Sequence, residues 1–356
     1  MDLQVFTNSE NAYAQLFALS DSGSYIRLDI RSPWQGGSEV IYTYYLVKDN
    51  TELPDVIPED KIITIPVSSS VCMSTSHVAM INALGEANGI VGVSGAAYIS
   101  NATVREGIER GEVKDIGYDS NLNNELISRL EPDLVFVYGI GAESAGYIAK
   151  LREAGVNTLY ICDYMELHPL ARTEWIKLFG ALYDKEEQAN RIFDSISNNY
   201  ESTYRLIQEK LIVRPRVMLG LPYKDKWFVS PGNSYISKLI ADAGGEYIWH
   251  DKEANESMPL SIESVYLKGM ESEFWLNTGI AESVKELLGV DGRFADLPPV
   301  DNGKLYNNTG RLNSSGGNDY WESGVLYPDQ ILKDLAYILQ PELIGNHTLR
   351  YYRKLK

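Results

Sequence analysis

Residues 184–211 read DKEEQANRIFDSISNNYESTYRLIQEKL, and this stretch decides how the rest of the chain is organised. Glycine and proline, which most often interrupt a helix, are absent between Gly180 and Pro215. Apolar residues recur with the spacing of one helical face, at Ile192, Ile196, Tyr200, Tyr204, Ile207 and Leu211. At about 1.5 Å per residue, such a helix is roughly 40 Å long. It is either an ordinary amphipathic helix packed on a sheet or, as we favour, a rigid strut between two lobes.

Strand-like and helix-like segments alternate on both sides of this helix. The strand-like segments before it are KIITIPV, IVGVS, DLVFVYG and NTLYICD, and those after it are RVMLGLP, KWFVSPG and EFWLNTG. Such alternation predicts an α/β fold with parallel sheets and helices on both faces. The two halves also echo one another, since NELISRLEPDLVFV is matched by IESVYLKGMESEFWL. We therefore predict two similar doubly wound lobes with a cleft, where small-molecule sites are favoured.

The segment before the first lobe has a different character. Tyr25–Ile30 and Val40–Val47 alternate apolar and polar residues, which predicts a β-hairpin. A linker rich in proline and acid follows at residues 54–61. In chain order, the predicted parts are an N-terminal extension at 1–60, an α/β lobe at 61–182, the connecting helix at 183–212 and a second α/β lobe at 213–356.

Composition limits the classes of function. The 356 residues are 44% hydrophobic and 23% charged, which is typical of a globular chain. The formal net charge of −17 argues against unspecific binding to nucleic acid or anionic lipid, since both need clustered Lys and Arg. There is no apolar run of about 18 residues, so the sequence predicts no membrane-spanning helix.

Two cysteines, Cys72 and Cys162, are too few for a disulfide framework. Each follows an apolar strand-like run, so a bond between them stays open. The chain starts with MDLQVFTNSE, which lacks the charged start and apolar core of an export signal. The sequence is therefore compatible with a cytosolic protein, or with an exported one whose signal has been removed.

One motif favours an enzyme. Gly139, Gly141 and Ser144 follow a strand and precede a helix, and the next strand ends at Asp163. This approximates the dinucleotide fingerprint of an NAD-dependent oxidoreductase. The third glycine is replaced by serine, however, and the unit does not open its domain, so a glycine-containing corner between strand and helix is the simpler interpretation. Four scattered histidines leave a site for a divalent metal open.

From about Lys61 onward the chain resembles the class III solute-binding proteins of ABC importers, which carry ferric siderophores, haem and cobalamin. The resemblance rests on IVGVSG, DIGYDSNLNNELISRLEPDLVFVYG, LREAGVNTLYI, the long helix, IADAGGEYIW and LSIESVY. It covers roughly five-sixths of the chain and leaves out the N-terminal hairpin. The resemblance implies two α/β lobes on one helical backbone and a binding function without catalysis.

The resemblance implies a role for two glutamates. In that family, one glutamate on each lobe docks onto arginines of the membrane permease. Glu125 and Glu263 occupy the corresponding positions. Without the resemblance, each would be interpreted as an acid favoured by the dipole at a helix N-terminus.

The resemblance also implies ligand contacts at the carboxyl ends of the strands. The candidates in the first lobe are Ser74, Tyr98, Tyr118, Tyr138 and Arg172, and those in the second lobe are Trp227, Arg311, Tyr320 and Trp321. Tyr118 lies where haem-binding members place an axial tyrosine, although the chain lacks an obvious histidine partner. Arg172 and Arg311 could meet an anionic siderophore or a propionate. Ordinary packing is the alternative for each aromatic residue.

The expected function is therefore capture of an iron complex or cobalamin and its delivery to ABC permease subunits. The protein is expected to be a monomer without a catalytic cofactor, metal or nucleic-acid partner of its own. Its expected location is periplasmic or otherwise extracytoplasmic, with a removed export signal and, as an open alternative, a lipid anchor. Haem or a divalent metal is the alternative cargo, and NAD-dependent oxidation the alternative of another class.

Overall fold

The computed structural model describes residues 7–35, 37, 40–49, 51, 57–118, 121–139 and 141–356, so residues 54–56 of the predicted linker lie outside the described residues. The chain divides into two compact units. The first consists of Met1–Ser195 with Asn313–Leu326, and the second of Ile196–Leu312 with Tyr327–Lys356. A short segment near the C-terminus therefore belongs to the first unit, although the chain on both sides of it belongs to the second.

A five-stranded sheet opens the first unit. Its strands, in sheet order, are β1 (Thr7–Ser9), β2 (Phe17–Asp21), β3 (Tyr25–Arg31), β4 (Ile41–Lys48) and β5 (Ile62–Ile65). The pair β4–β5 is parallel and the other pairs are antiparallel. The predicted hairpin is confirmed as β3 and β4, whereas β1 and β2 were not predicted.

A parallel sheet forms the body of the first unit. Its strands are β6 (Ser70–Cys72), β7 (Ile90–Val93), β8 (Lys114–Asp115), β9 (Leu134–Val137) and β10 (Thr158–Tyr160), in the order β10-β9-β6-β7-β8. The helices that accompany it are α1 (Thr75–Ala83), α2 (Ala102–Glu109), α3 (Asn124–Arg129), α4 (Gly141–Glu153), α5 (Pro169–Glu174) and α6 (Ile176–Leu182). This order reverses the direction of winding between β6 and β9.

The prediction for the first strand of this sheet was wrong. KIITIPV contains β5, which pairs with β4 of the N-terminal sheet, and the parallel sheet instead begins at β6, a segment that was not predicted to be a strand. The burial patterns explain the difference. Residues of β5 are alternately buried and exposed, as on a sheet covered on one face, whereas all three residues of β6 are buried.

Buried carboxylates attach the N-terminal sheet to the body of the first unit. Glu174, which has no exposed surface, accepts hydrogen bonds from the backbone N–H groups of residues 12–14 at 2.8–2.9 Å. Glu166 accepts from the N–H groups of Gln15 and Leu16 at 2.9 and 3.0 Å. Hydrogen bonds to charged groups are roughly twice as strong as neutral ones, so the extension is an integral part of this unit.

The long helix is confirmed. It is α7 (Glu186–Lys210), and the boundary between the two units falls within it, after Ser195. The confirmed architecture is therefore α/β, with one long helix whose two halves belong to two compact units.

The second unit repeats the parallel plan. Its main sheet has the order β13-β11-β15-β16-β17, parallel except for the last pair, and β12 and β14 form a separate antiparallel ribbon. The strands are β11 (Arg216–Leu219), β12 (Lys226–Val229), β13 (Glu246–Tyr247), β14 (Met258–Ser261), β15 (Phe274–Leu276), β16 (Leu305–Asn307) and β17 (Arg353–Lys354). The helices from residue 235 onward are α8 (Tyr235–Asp242), α9 (Ile262–Gly269), α10 (Val284–Val290), α11 (Pro298–Asp301), α12 (Ser323–Leu326, in the first unit), α13 (Pro328–Leu339) and α14 (Pro341–Ile344).

Both cysteines, Cys72 and Cys162, are buried free thiols. The thiol of Cys162 donates to the backbone carbonyl of Pro33, which adds a contact between the N-terminal extension and the body of the unit. In the part of the chain that the structure describes, no helix has both the length and the apolar character needed to cross a bilayer.

Candidate functional site

A cavity of about 370 Å³ lies at the carboxyl edge of the parallel sheet in the first unit. Its wall consists of Met73, Ser74, Thr75, Ser94, Tyr98, Tyr118, Tyr138, Gly316, Asn318 and Trp321. Three wall segments directly follow β6, β7 and β9. The cavity thus coincides with the reversal of winding between β6 and β9, where open α/β sheets bind their ligands. Its volume is in the range of small-molecule sites.

Aromatic side chains dominate the exposed part of this wall. Tyr98, Tyr118 and Trp321 are each about half exposed, at 50%, 49% and 52%. The rings of Tyr98 and Tyr118 lie 5.5 Å apart, centroid to centroid. None of the described residues in the wall carries a charge at neutral pH. Such a surface offers ring faces and hydroxyl groups to a ligand, with little charge attraction.

The loops that carry the two tyrosines depend on Asp115 and two glycines. The Asp115 carboxylate accepts hydrogen bonds from the N–H groups of Gly95, Ala96 and Gly117 at 2.9–3.2 Å. Gly95 and Gly117 have φ angles of 68° and 85°, in the left-handed region that favours glycine. A Cβ atom on Gly95 would lie 2.7 Å from the Tyr98 ring, so glycine also leaves room for that side chain.

Ser74 forms part of the cavity floor. Its hydroxyl caps α1 by accepting from the N–H of Ser76, and the two hydroxyl oxygens are 3.0 Å apart. Asp163 is buried beyond them. Burial raises the pKa of the Asp163 carboxyl, and the Arg172 guanidinium and the Ser76 hydroxyl oppose this rise. Ser74 therefore belongs to a polar network that continues into the interior.

Arg172 supports the wall of the cavity and is not part of it. Its guanidinium donates to the backbone carbonyls of Tyr164 and Glu166 at 2.6 and 3.0 Å. The Tyr164 hydroxyl in turn donates to the carbonyl of Gly139, and its ring meets that of Tyr138 edge to face. These hydrogen bonds hold the loop next to Tyr138, and the expected contact between Arg172 and a ligand stays a prediction.

Trp227, a predicted ligand contact, lies in the core of the second unit. Its side chain has no exposed surface, and its indole N–H donates to the carbonyl of Leu219 at 3.0 Å. The rings of Trp275 and Phe294 lie 5.7 Å from it. The assignment to a ligand surface is therefore wrong in this structure, because two aromatic rings cover the indole.

The remaining candidates were expected in the second lobe. Tyr320 and Trp321 belong to the first unit, and only Arg311 is in the second, where it is exposed. Tyr320 is buried and packs edge to face against Trp321, with ring centroids 4.8 Å apart. Tyr320 thus supports the ring of Trp321, which lines the cavity.

Sequence reasoning missed half of the cavity wall. Met73, Thr75 and Ser94 have a recognisable signal, since each follows the carboxyl end of a predicted or observed strand. Gly316 and Asn318 have none, because they lie in an irregular stretch far along the chain.

The two candidate docking glutamates are accessible. Glu125 lies in the first turn of α3 and Glu263 in the first turn of α9, with side chains 82% and 66% exposed. Each has an arginine within ion-pair distance, Arg129 at 3.5 Å and Arg293 at 3.6 Å. Exposed ion pairs of this kind contribute about 0–1 kcal/mol, so both carboxylates are available to another partner. Their docking role stays a prediction.

The dinucleotide motif forms the corner between β9 and α4, at Gly139 and Gly141. Asp163, which would bind the ribose, is only 4% exposed and is committed to the interior network. Among the described residues, no three His, Cys, Asp or Glu side chains are grouped as metal ligands.

Comparison with known proteins places this geometry in context. A family model described as periplasmic binding protein matches residues 71–307, well over half of the chain. An uncharacterised lipoprotein of Methanocaldococcus jannaschii is 26% identical over 303 residues, which cover 83% of this chain and 70% of that protein. A second, uncharacterised protein of the same organism is 20% identical over 253 residues, or 69% and 73% of the two chains.

Solved structures show the same fold. A periplasmic haem-binding protein from Pseudomonas aeruginosa aligns with a TM-score of 0.62 at 16% identity, over 82% of this chain and 98% of that one. A possible iron-binding, periplasmic solute-binding protein from Staphylococcus epidermidis aligns with a TM-score of 0.58 at 18% identity, over 77% and 98%. The matched residues 71–307 include β7, β9 and all of β6 except Ser70, three strands whose carboxyl ends lead into the cavity wall, and they exclude the N-terminal sheet.

Proposed function

The chain belongs to the periplasmic binding protein family, whose members bind solutes and do not catalyse reactions, and from this premise we propose that it captures a metal chelate for an ABC importer. The proposed cargo is an iron complex, such as a ferric siderophore, or cobalamin, with haem as the alternative. The observation that carries the proposal is the cavity at the winding reversal of the first unit, with its three half-exposed aromatic rings. Structural relatives described as haem- and iron-binding support this choice of cargo.

The cavity wall suggests how such a cargo would be held. Tyr98, Tyr118 and Trp321 offer flat surfaces to the organic part of a chelate, and each ring contact contributes through burial and stacking. The hydroxyls of Ser74 and Ser94 lie at the ends of two strands, where they can orient polar groups. If the cargo is haem, the Tyr118 hydroxyl is the group that we expect to approach the iron.

A three-probe panel tests this proposal. We expect one of haemin, cyanocobalamin and a ferric catecholate to raise the melting temperature of the purified protein and to change its own absorption spectrum on binding. At a free concentration of about 100 times Kd, a ligand stabilises the folded state by about 2.7 kcal/mol. Tyr98→Ala should weaken that binding at least about tenfold. Tyr223→Ala, an exposed tyrosine of the second unit outside the cavity wall, is the matched control. Binding that survives Tyr98→Ala unchanged, or no binding by any probe, would contradict the proposal.

Docking to permease subunits is the second part of the proposal. A matched pair of acidic groups on two surfaces contributes to orientation and association rate more than to affinity. The double variant Glu125→Lys with Glu263→Lys should therefore bind cargo normally and fail in uptake by cells that contain the importer. The control replaces Glu187 and Glu256, two other exposed acids, by lysine and leaves uptake intact. Equal loss of uptake in both double variants would indicate a general charge effect and refute the docking assignment.

We place the protein on the outer side of the cytoplasmic membrane, because its family serves importers there. The relative named as a lipoprotein supports a lipid anchor as part of this proposal. Fractionation of the source cells tests both points, since an anchored protein sediments with membranes and is released by detergent. Recovery of the native protein in the cytosolic fraction would refute the location.

A further inference from the structure

The segment Asn313–Leu326, called the strap below, completes the cavity wall from an unexpected part of the chain. It belongs to the first unit, although the residues before and after it belong to the second. It supplies Gly316, Asn318 and Trp321 to the wall. The Thr75 hydroxyl donates to the backbone carbonyl of Trp321 at 3.0 Å, which fixes the strap to the start of α1. The cavity therefore depends on how this segment is held.

One end of the strap is tied to the loop that carries Tyr98. The Asn313 side-chain amide donates to the carbonyls of Ala97 and Ile99, at 3.0 and 2.8 Å, one on each side of Tyr98. Its oxygen accepts from the N–H groups of Ser315 and Gly317, both at 2.8 Å. Two donors and two acceptor positions are all that an asparagine side chain has, so Asn313 is fully used.

Close packing accompanies these hydrogen bonds. A Cβ atom placed on Gly317 would lie 2.5 Å from the carbonyl oxygen of Tyr98. The backbone of the strap therefore touches the backbone of the Tyr98 loop directly. A small displacement of one must move the other, because packed backbone cannot be compressed.

The other end of the strap is tied to the same loop by Glu322. This carboxyl group is only 3% exposed and accepts from the N–H of Ser100 at 2.7 Å. The charged or titratable groups that act on it are Asp319 on the strap, Arg105 on α2 and Cys72 at the end of β6. Asp319 opposes its ionisation and Arg105 favours it.

We propose that Asn313 and Glu322 are positioning residues of the cavity, which clamp the Tyr98 loop between them and so set the distance between Tyr98 and Trp321. If the proposed function holds, cargo affinity depends on this clamp, and to that extent the inference rests on the proposed function. The clamp itself is a property of the protein without cargo and can be tested separately.

The clamp should weaken as the pH rises, because it contains the carboxyl group of Glu322. Burial raises the pKa of the Glu322 carboxyl to about 7, whereas an exposed glutamate ionises near pH 4.5. A state in which the strap has lifted and Glu322 meets water ionises at a lower pH, so it gains on the clamped state as the pH rises from about 4.5 to about 7. The contribution of Glu322 to clamping is therefore fully present below about pH 4.5 and is lost as the pH rises through 7. Replacement of Glu322 by glutamine removes this dependence.

Hydrogen exchange on the cargo-free protein is the first test. In Asn313→Asp, which keeps the acceptor oxygens and loses both donors, amides of residues 95–101 should exchange at least about tenfold faster. Ser314→Ala is the matched control, because this neighbour is exposed and its hydroxyl accepts from Arg105 at 3.3 Å, away from the Tyr98 loop carbonyls. After correction for intrinsic exchange rates, wild-type protection of the same amides should fall between pH 5 and pH 7, and Glu322→Gln should show no such fall. Unchanged exchange in Asn313→Asp, or an identical pH profile in Glu322→Gln, would overturn the clamp.

Titration with haemin, cyanocobalamin and the ferric catecholate is the second test. The probe that binds the wild-type protein should bind Asn313→Asp about tenfold more weakly at pH 7 and Ser314→Ala within twofold of wild type. Faster loop exchange with unchanged affinity would overturn the link between clamp and cargo. A wild-type protein that binds none of the probes would refute the proposed function, and the exchange experiment would still decide the clamp.

Discussion

The carboxyl edges of the two parallel sheets use aromatic residues in opposite ways. In the first unit, Tyr98, Tyr118 and Trp321 stand half exposed around a cavity. In the second unit, the indoles of Trp227 and Trp275 donate to the carbonyls of Leu219 and Gly220, at the end of β11, and both side chains are buried. The same residue class at the same edge thus lines a cavity in one unit and fills the core in the other.

The difference lies in what packs against each ring. Phe294 contacts both Trp227 and Trp275, with centroid distances of 5.7 and 5.3 Å, and closes that edge. In the first unit, the rings of Tyr98 and Tyr118 contact each other and still leave half of their surface open. An aromatic residue at the carboxyl edge of a parallel sheet therefore indicates a ligand surface only when no further ring covers it.

The largest change in stability is expected at the carboxyl edge of the sheet in the second unit, where buried rings fill the core. Trp227→Ala should reduce the free energy of unfolding by about 3–5 kcal/mol, because it removes a fully buried indole and leaves a cavity. Urea unfolding followed by circular dichroism measures this loss. Phe228→Ala, at the next position of β12 and 51% exposed, is the control and should cost less than about 1 kcal/mol. An equal loss of unfolding free energy in the two variants would contradict the view that Trp227 is a core residue of the second unit.

Low pH should destabilise the first unit through a buried histidine. His77 of α1 is fully buried between Phe136 and Phe179, and burial lowers its pKa to about 3. The unfolded chain, with a histidine pKa of about 6.5, takes up the proton first, so stability falls as the pH drops from about 6.5 towards 3.

His77→Phe should remove this pH dependence. Between pH 6 and pH 4 the free energy of unfolding of the wild type should fall by about 2–3 kcal/mol relative to that of the variant, because each pH unit contributes about 1.4 kcal/mol. Urea unfolding at pH 4, 5 and 6 measures this difference. The exposed His250 of the second unit provides the control variant, His250→Phe. Parallel pH profiles for wild type and His77→Phe would contradict the prediction.

Two glycines at corresponding places in the two units should respond differently to alanine substitution. Gly95 follows β7 and Gly220 follows β11, and both have positive φ angles, 68° and 77°. Alanine at either position should cost about 1 kcal/mol through backbone strain. A Cβ on Gly95 would also press on the Tyr98 ring at 2.7 Å, whereas on Gly220 the nearest atom is 3.4 Å away. Gly95→Ala should therefore also weaken probe binding, and Gly220→Ala should not, as measured by the same titration.

The smallest change in stability is expected at the cavity of the first unit. Trp321→Ala should change the free energy of unfolding by less than about 1.5 kcal/mol, because half of this side chain is already exposed. Its effect on the binding of the active probe should be much larger, about tenfold or more. A loss of stability as large as that of Trp227→Ala would mean that Trp321 is a core residue and not part of a binding surface.

Local patterns sufficed for much of the fold. The spacing of Ile196, Tyr200 and Ile207 predicted α7, and the apolar runs predicted β9 and β15. The partner of β5 could not be predicted, because strand pairing with β4 depends on residues outside the local pattern. The sequence could not predict which aromatic side chains at the carboxyl edges are exposed and which are covered, since Phe294 covers Trp227 from a distant part of the chain.

The candidate site was predicted in part for the same reason. Ser74, Tyr98, Tyr118 and Tyr138 follow strands of one sheet, and adjacent parallel strands bring their carboxyl ends together. Trp321 was predicted as well, but in the wrong unit, because nothing in the sequence indicates that the strap belongs to the first unit. Only the folded chain shows that Asn313 holds the Tyr98 loop.

The N-terminal sheet has a practical consequence for anyone who trims this chain to the region that the family model matches. A fragment that starts at residue 71 would keep Glu166 and Glu174 and lose the N–H groups of residues 12–16 that donate to them. Glu174 would keep Lys177 and Glu166 would keep the Trp175 indole N–H, but each lost hydrogen bond to a carboxylate costs about 1.5–3 kcal/mol. The boundary drawn by family resemblance is therefore not a boundary of folding, and a usable shortened protein must begin before residue 11.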